Sequence, residues 1–366
     1  MKISERSPGQ RLLVLTYVLI CFGLVLLFSA SKGTFTRTVS TFKGSGDLFF
    51  WQQLVWIVLG TAGLMLTRRF PYRNYRRLVW LLYPLTILLL LVVLLVGHGR
   101  AARWIRVGPF NFQPAELAKV VLVLSLAAYL TERDINRPAV FAGSLMLTAL
   151  PAVLIFKQPN LGTAFLLVLV CLVMMFQAGL APRRLLVIFI LILVSSPLLW
   201  LTMEPYQKER ILTFLWPQRD PFGRGYNLLQ SKITIGSGGL IGKGYLHGTQ
   251  TKLAFLPEYH TDFIFCLLAE EFGLLGVTIF LGLYYLFLKE LLSVVSFTRD
   301  EFGRLVTTGL FAIFFLQAVI NISMTLGLFP VAGIPLPFIS YGGSFMLMAL
   351  LAVGLLANIR ENPVIF

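Results

Sequence analysis

Charge and cysteine are both scarce in this sequence of 366 residues. Only 13% of the residues are charged, while 57% are hydrophobic. A water-soluble domain needs more polar surface than this to cover its core, so the composition excludes a soluble protein and predicts an integral membrane protein. The three cysteines, Cys21, Cys171 and Cys266, lie inside apolar segments, where neither a disulfide framework nor a metal site is expected.

Acidic residues are about half as frequent as basic ones. The chain has 16 Asp and Glu against 31 Lys and Arg, a formal net charge of +15. Such an excess is found in nucleic-acid-binding proteins, but here the basic residues are concentrated between the apolar segments. That distribution is typical of membrane-protein loops, and we expect no nucleic-acid partner.

Ten segments are suitable for crossing a hydrocarbon core of roughly 30 Å, which takes about 20 residues. Residues 1–11 show no signal-peptide cleavage pattern, so we expect the first segment to be retained. The uncharged run at 305–359 is too long for one crossing, and its proline- and glycine-rich centre at 329–343 divides it in two. The other predicted spans are 12–31, 48–67, 78–99, 114–131, 138–156, 158–182, 184–203 and 262–288. The sequence thus predicts an all-α polytopic membrane protein that forms one domain over residues 1–366.

Basic residues also predict the orientation. The short loops on the side of the termini carry more than twice as many Lys and Arg residues as the opposite loops. Because Lys and Arg are retained in the cytoplasm, both termini are predicted to be cytoplasmic. One long extracellular loop, 204–261, then connects spans seven and eight, and the loop at 100–113 and the turn at 330–340 lie on the same outer side.

The extracellular loop is basic and rich in glycine. Its cations include Arg210, Lys232 and Lys243. Cations together with closely approaching backbone amides suit a phosphate or pyrophosphate. The same composition fits a flexible solvated loop with a short amphipathic helix at 226–235 resting on the membrane surface, so the pattern alone leaves both interpretations open.

Asp262 marks the point where this loop gives way to an apolar helix. One interpretation is a helix N-cap, because Asp oxygens satisfy free backbone amides at a helix start. The other is a general base, a carboxylate whose pKa is raised by partial desolvation at the bilayer surface. The neighbours Glu258 and His260 are placed to tune it, and the two roles are compatible.

Three further polar positions lie in or beside the predicted spans. Glu116 and Lys119 are three residues apart on span four, within pairing distance on one helical face, as a clamp or as a substrate contact. Glu270 and Glu271 are expected to face other helices, with a proton pathway as the alternative. Asn160 lies in a segment that has the pattern of an ordinary helix start.

Six segments taken together resemble the SEDS family (shape, elongation, division and sporulation), and the resemblance covers essentially the whole chain. The run GKGYLHGTQ at 242–250 is similar to the RodA branch rather than the FtsW branch. Two positions depart from the family pattern: Asn160 stands where Asp is common, and Phe345 replaces a small residue. The six segments are RWI at 103–105, FQPAELAK at 112–119, QPNLGT at 158–163, SKITIGSGG at 231–239, LPEYHTDFIF at 256–265, and Asn321 with SYGGS at 340–344.

The resemblance implies a peptidoglycan glycosyltransferase that polymerises lipid II at the outer face of the bacterial cytoplasmic membrane during cell elongation. It places the family's essential aspartate at Asp262 and its Glu-Lys pair at Glu116 and Lys119. It also implies a class B penicillin-binding protein as partner, together with the elongation machinery. The alternatives are a flippase that moves lipid II across the membrane and a scaffold that recruits other wall enzymes.

On this interpretation Asp262 takes a proton from the acceptor sugar, which attacks the donor with inversion, and undecaprenyl pyrophosphate leaves. Fixed cations are expected to stabilise the departing diphosphate, and a divalent cation such as Mg or Mn is a further candidate for this task. The sequence contains no His and Cys cluster that would form a dedicated metal site. The candidate substrate-binding residues are Glu116, Lys119, Lys232, Lys243, Arg210, His260, Glu258 and Asn160.

Overall fold

The computed structural model describes residues 8–32, 46–96, 103–107, 110–220, 223, 225–253 and 255–362. Some of the charges used to predict the orientation, such as Lys2, Arg37 and Arg100, lie outside these residues. The described helices are α1 (Pro8–Ser31), α2 (Gly46–Arg69), α3 (Tyr72–Val96), α4 (Pro114–Leu130), α5 (Pro138–Lys157), α6 (Leu161–Gln177), α7 (Pro182–Thr202), α8 (Pro205–Leu215), α9 (Tyr226–Ser237), α10 (Thr249–Lys252), α11 (Ile264–Phe297), α12 (Glu301–Leu326) and α13 (Gly343–Glu361). A described helix lies in each predicted span, although α6 is shorter than the predicted span 158–182 and residues 97–99 of the span 78–99 lie outside the described residues.

Seven of these helices are long and apolar enough to cross a membrane: α1, α2, α3, α5, α11, α12 and α13. Helix α6 is apolar but shorter. Large hydrophobic side chains such as Leu66, Leu95 and Leu201 are exposed on the outer surface of the bundle, as expected where the solvent is lipid. The chain is therefore a helical, multi-pass membrane protein.

One small sheet interrupts the helices. Ile105–Val107 (β1) and Phe110–Phe112 (β2) form an antiparallel pair in which Ile105 lies opposite Phe112. The sequence analysis did not predict these strands, because three-residue strands are too short to show an alternating pattern. The hairpin leads directly into α4, whose first residue, Pro114, suits a helix start.

Close helix crossings depend on small residues, as is common in membranes. Helix α13 packs along α2. Gly354 on α13 faces the carbonyl of Leu64 so closely that a Cβ atom would collide with it, and a Cβ atom at Gly60 on α2 would collide with Leu350. This contact brings the start of α13 beside the first half of α2, where a Cβ atom at Gly343 would meet Trp56.

Helix α11 is bent at Gly273, where φ is 62° and ψ is −164°, a conformation open essentially to glycine alone. Segment 238–244, from the 204–261 loop, binds at this bend. The Lys243 and Gly244 amides donate to the Glu270 and Glu271 carbonyls at 2.9 and 3.0 Å, and the Leu274 amide donates to the Gly239 carbonyl at 3.0 Å. The backbone amides freed by the bend are satisfied by the loop. This part of the loop is thus fixed to the helix bundle, and the interpretation as a flexible solvated loop is wrong there.

Helix α9 confirms the predicted helix at 226–235, but not its position on the membrane surface. Its polar residues Ser231 and Thr234 are fully buried, and it packs against α11 and α12. The Ser231 hydroxyl donates to the Thr325 carbonyl at 2.9 Å, near the last turn of α12. The helix therefore uses its polar face to bind the bundle.

Candidate active site

Asp262 lies in a turn that immediately precedes α11. The Glu258 carbonyl accepts hydrogen bonds from the amides of Thr261 at 3.2 Å and Phe263 at 3.3 Å, and Glu258 itself has a positive φ of 53°. The helix begins at Ile264, and its N-cap is Phe263. The N-cap interpretation of Asp262 is therefore wrong, and its carboxylate is available for another role.

Asn321 on α12 fixes the backbone at Asp262. Its side-chain amide donates to the Asp262 carbonyl at 3.0 Å and to the Ile334 carbonyl at 2.7 Å. The Asn321 side chain is fully buried, where losing a hydrogen-bond partner is costly. One amide thus holds the turn before α11 to the segment that precedes α13.

The segment before α13 makes two further contacts with this turn. The Ser340 hydroxyl donates to the Thr261 carbonyl at 2.6 Å, and the Tyr341 amide donates to the His260 carbonyl at 2.9 Å. Three consecutive carbonyls, those of residues 260 to 262, are therefore each held by a separate donor. The backbone that carries Asp262 is rigidly positioned before any substrate arrives.

The carboxylate of Asp262 is partly accessible. No described residue donates a hydrogen bond to it. Gly333 lies opposite, with a positive φ of 67°, and a Cβ atom built there would be 3.7 Å from Oδ2. A glycine is favoured at this position by its backbone conformation, and its missing side chain leaves room in front of the carboxylate.

The pKa of Asp262 is raised to about 6. Burial is the main cause and the nearby Glu258 carboxylate adds to it, while Arg210 and Arg103 act in the opposite direction. The raised value is appropriate for a general base, since a base works best when its pKa lies near the working pH. Glu258 and Arg210, both predicted site residues, are thus within electrostatic reach of Asp262.

Arg103 is a site residue that the sequence analysis missed. It follows the end of α3 and donates to the Pro159 carbonyl at 2.5 Å, which places it beside the start of α6. The sequence signal that could have indicated Arg103 is its position as the first residue of the family-like segment 103–105. Because that segment contains no carboxylate or histidine, the residue types alone do not indicate a site.

His260 is packed among aromatic rings. It stacks on Phe49 of α2 with the ring centroids 4.9 Å apart, and lies 6.0 Å from Tyr341. Burial lowers the pKa of His260, and the Glu258 carboxylate partly opposes this shift. The ring is neutral at pH 7, and its contacts indicate that it positions the turn.

Asn160 has a structural role at the start of α6. It is the N-cap of this helix, and its side-chain oxygen accepts a hydrogen bond from the Thr163 amide at 3.3 Å. An amide oxygen performs this task as a carboxylate does. Gly162 in the first turn lies against the Ala332 carbonyl, so α6 supports the turn that carries Gly333.

Lys232 and Lys243, two predicted ligands of the diphosphate, have other neighbours than Asp262. Lys232 on α9 lies against Gly327, the left-handed C-cap of α12, where the helix dipole favours a cation. Lys243 forms an ion pair with Glu270 at 2.8 Å. Neither lysine is among the groups that shift the pKa of Asp262.

Glu116 and Lys119 form a buried ion pair inside the bundle. Their charged atoms are 2.6 Å apart, and each side chain is no more than 4% exposed. The ammonium lies 5.2 Å from the ring centroid of Phe345 on α13, a favourable cation–π distance. The pair borders a cavity of about 20 Å³ beside Gln317, which lies one turn before Asn321 on α12.

Glu270 and Glu271 hold the 204–261 loop and α1. Glu270 is fully buried and accepts hydrogen bonds from Lys243, Thr249 and the Gln250 amide. Glu271 accepts from Ser29 on α1 at 2.5 Å. The expectation that both face other helices is right for Glu271, whereas Glu270 faces the loop.

Residues 10–363 match the FtsW/RodA/SpoVE family of cell cycle proteins. The chain is 40% identical over 311 residues to the peptidoglycan glycosyltransferase MrdB of Escherichia coli K12, covering 84% of each chain. It is 36% identical over 360 residues to a probable peptidoglycan glycosyltransferase FtsW of Trichlorobacter lovleyi, covering 96% of this chain and 92% of the relative.

Two solved structures are similar over most of the chain. One is from a peptidoglycan synthase complex described as coordinating polymerization and crosslinking, with a TM-score of 0.81 and 33% identity over 96% of both chains. The other is the rod shape determining protein RodA of Thermus thermophilus, with a TM-score of 0.70 and 30% identity, covering 96% of this chain and 95% of that one.

Proposed function

This chain belongs to the FtsW/RodA/SpoVE family of cell cycle proteins, and from that premise we propose that Asp262 is the general base with which it polymerises lipid II. The protein is a peptidoglycan glycosyltransferase of the RodA type, a multi-pass protein of the bacterial cytoplasmic membrane that acts in cell elongation. The observation that carries the proposal is that Asp262 is partly enclosed and that no described residue donates a hydrogen bond to its carboxylate.

The proposed topology has ten spans, both termini in the cytoplasm and the loop at 204–261 outside. Its support is that a described helix lies in each of the ten predicted segments, including α4 and α6, which have 17 residues each, and the 21-residue α7. In this topology Asp262 and Gly333 lie at the outer surface. A lipid-linked sugar would present its headgroup there while its tail stays in the bilayer.

In the proposed reaction the Asp262 carboxylate accepts the proton of the 4-hydroxyl of the acceptor sugar. The hydroxyl oxygen attacks C1 of the donor sugar from the face opposite the diphosphate, and the C1–O bond to undecaprenyl pyrophosphate breaks with inversion. A single carboxylate is sufficient, because the diphosphate leaves without needing a proton from a second acid.

The departing diphosphate needs nearby positive charge. Arg210 and Arg103 are supported best, because both already act on the Asp262 carboxylate. Lys119 and Lys243 are weaker candidates because each is paired with a carboxylate, and Lys232 because it lies beside Gly327 at the end of α12. A divalent cation remains a proposal: Asp262 and Glu258 have the oxygen ligands that Mg²⁺ prefers.

The partner proposed for this chain is a class B penicillin-binding protein that crosslinks the new strands. The similar synthase complex supports this, since it is described as coordinating polymerization and crosslinking. The contact surface is expected to include the extracellular loop and α11. The loop binds α11 at the bend of this helix.

Reconstitution with fluorescent lipid II and the partner tests the proposal. We expect Asp262→Asn to reduce polymerisation about 10²- to 10⁴-fold, and to leave the unfolding temperature unchanged or higher at pH 7, because an ionised carboxylate in this recess is disfavoured. Lys252→Gln on the same loop is the matched control.

Retention of wild-type polymerisation by Asp262→Asn would remove Asp262 from the mechanism. Movement of labelled lipid II across the vesicle membrane without any polymer, in the wild type, would instead support the flippase.

A further inference from the structure

A second polar recess lies at the opposite end of the bundle from Asp262. Its volume is about 560 Å³. It lies between the first turns of α3, the end of α4 and the start of α12. Four arginines, one acidic residue and two aromatic rings border it: Arg73, Arg76, Arg77, Arg133, Asp300, Trp80 and Phe302. None of these residues takes part in the proposed polymerisation.

The recess has an excess of positive charge. Arg76 pairs with Glu132 at 3.1 Å, and Asp300 offsets one further charge. Arg133 lies over the ring of Tyr129 at 4.4 Å. Among the described residues, no salt bridge joins Arg73, Arg77 or Arg133 to a carboxylate. Glu301 also acts on Arg76, so four arginines stand against three carboxylates, and a net positive charge is left to attract an anion.

Arginine is the residue best suited to a phosphate, because its planar guanidinium donates two parallel hydrogen bonds to the phosphate oxygens. Arg73 and Arg77 also lie in the first turns of α3, where the helix dipole favours negative charge. The chemistry of the recess is therefore that of a phosphate site with several donors. A carboxylate-rich peptide has the same sign of charge and is the competing ligand.

The surroundings favour a lipid as the source of the phosphate. Trp80 is 52% exposed, and half-exposed Trp is typical of the membrane–water interface. The next residues along the same helix, Leu81, Leu85 and Leu88, are 66%, 45% and 55% exposed. The recess thus opens onto an apolar face along which acyl chains can lie, which a soluble anion or an acidic peptide would not require.

We infer that this recess binds the phosphate headgroup of an anionic phospholipid. In the proposed topology it faces the cytoplasmic leaflet, where anionic lipids attract basic residues and where basic pockets between spanning helices bind such headgroups. Arg73, Arg77 and Arg133 bind the phosphate, Trp80 sits at the interface, and the acyl chains follow the exposed leucines of α3.

Native mass spectrometry of the full-length protein tests this inference. The protein is titrated with phosphatidylglycerol and separately with phosphatidylcholine, as the wild type and as the combined variant Arg73→Gln, Arg77→Gln, Arg133→Gln. We expect the wild type to retain phosphatidylglycerol preferentially, and the variant to bind it at least about tenfold more weakly.

The matched control is Arg69→Gln, Arg183→Gln, Arg299→Gln, which removes the same charge from exposed positions outside the recess and should retain the lipid. If the combined variant does not fold, Arg73→Gln and Arg133→Gln are measured singly, each with a smaller loss expected.

Three results would overturn the inference. Equal phosphatidylglycerol binding by the wild type and every recess variant would show that the recess is not the site. Inorganic phosphate or pyrophosphate that displaces the lipid and stabilises the protein equally well without it would assign the recess to a soluble anion. Displacement by polyglutamate, with no preference for phosphatidylglycerol over phosphatidylcholine, would assign it to an acidic protein.

Discussion

Asp262 and Glu270 lie eight residues apart near the N-terminal end of α11, yet their carboxylates have opposite surroundings. Glu270 is fully buried, pairs with Lys243 at 2.8 Å and accepts hydrogen bonds from Thr249 and the Gln250 amide. Asp262 is partly accessible, and no described residue donates to its carboxylate. Instead, its backbone is held by Asn321.

This difference fits the proposal that Glu270 is a structural carboxylate and Asp262 a reactive one. A buried charge that is fully paired contributes to the fold, and its lone pairs have no capacity left for a substrate proton. A carboxylate positioned through its backbone keeps that capacity, and partial burial raises its pKa. The Glu116–Lys119 pair belongs with Glu270 in this comparison.

The largest effect on stability is expected at the buried pair. Lys119→Met leaves Glu116 without its partner inside the bundle, and breaking such a pair costs about 3 to 5 kcal/mol. Thermal unfolding of the purified protein in detergent measures the loss. The double variant Glu116→Gln, Lys119→Met leaves no unpaired charge and should be less destabilised. Unfolding of Lys119→Met at the wild-type temperature would show that the pair is no clamp.

A smaller loss is expected when the loop contact is broken. Glu270→Gln removes the ion pair with Lys243 and weakens the hydrogen bonds at Thr249 and Gln250, which costs about 1 to 3 kcal/mol. Hydrogen exchange of the 238–252 segment should become faster, whereas Glu290→Gln near the other end of α11 should not change it. Unchanged exchange in Glu270→Gln would mean that the backbone bonds at the bend hold the loop alone.

The smallest expected effect is the change of the polymerisation rate with pH. A general base must be ionised, and the pKa of Asp262 is raised to about 6 by burial. The rate should therefore be high above pH 6 and fall about tenfold between pH 7 and pH 5. Initial rates with labelled lipid II over this range test the assignment, and a flat profile would contradict it.

A variant sharpens this test. Arg210 lowers the pKa of Asp262, so Arg210→Gln should move the midpoint of the profile to higher pH. Arg219→Gln, an exposed arginine on the same loop that does not act on Asp262, should leave the midpoint in place. A shift with both variants would indicate a general effect of loop charge.

Predictions from the sequence were most successful where one segment carries its own signal. The apolar runs predicted the positions of the helices, because a lipid-exposed helix must satisfy its backbone internally and present apolar side chains over its length. The sequence left two interpretations of Asp262 open, an N-cap and a general base, and the structure contradicts the first. It also made Lys243 a candidate diphosphate ligand, whereas Lys243 pairs with Glu270 in the structure. Their partners, Asn321 and Glu270, are distant in the sequence or on another element.

The sequence by itself determined that this is a multi-pass helical membrane protein of one family, with a basic loop and an aspartate at the entry to α11. Only the tertiary structure decided which charged groups are paired. Three separate donors hold the Asp262 turn, Gly333 leaves space before its carboxylate, and Arg103 and Arg210 lie within reach of it. The physical reason is that hydrogen bonds and desolvation depend on distances between segments, which composition and periodicity do not encode.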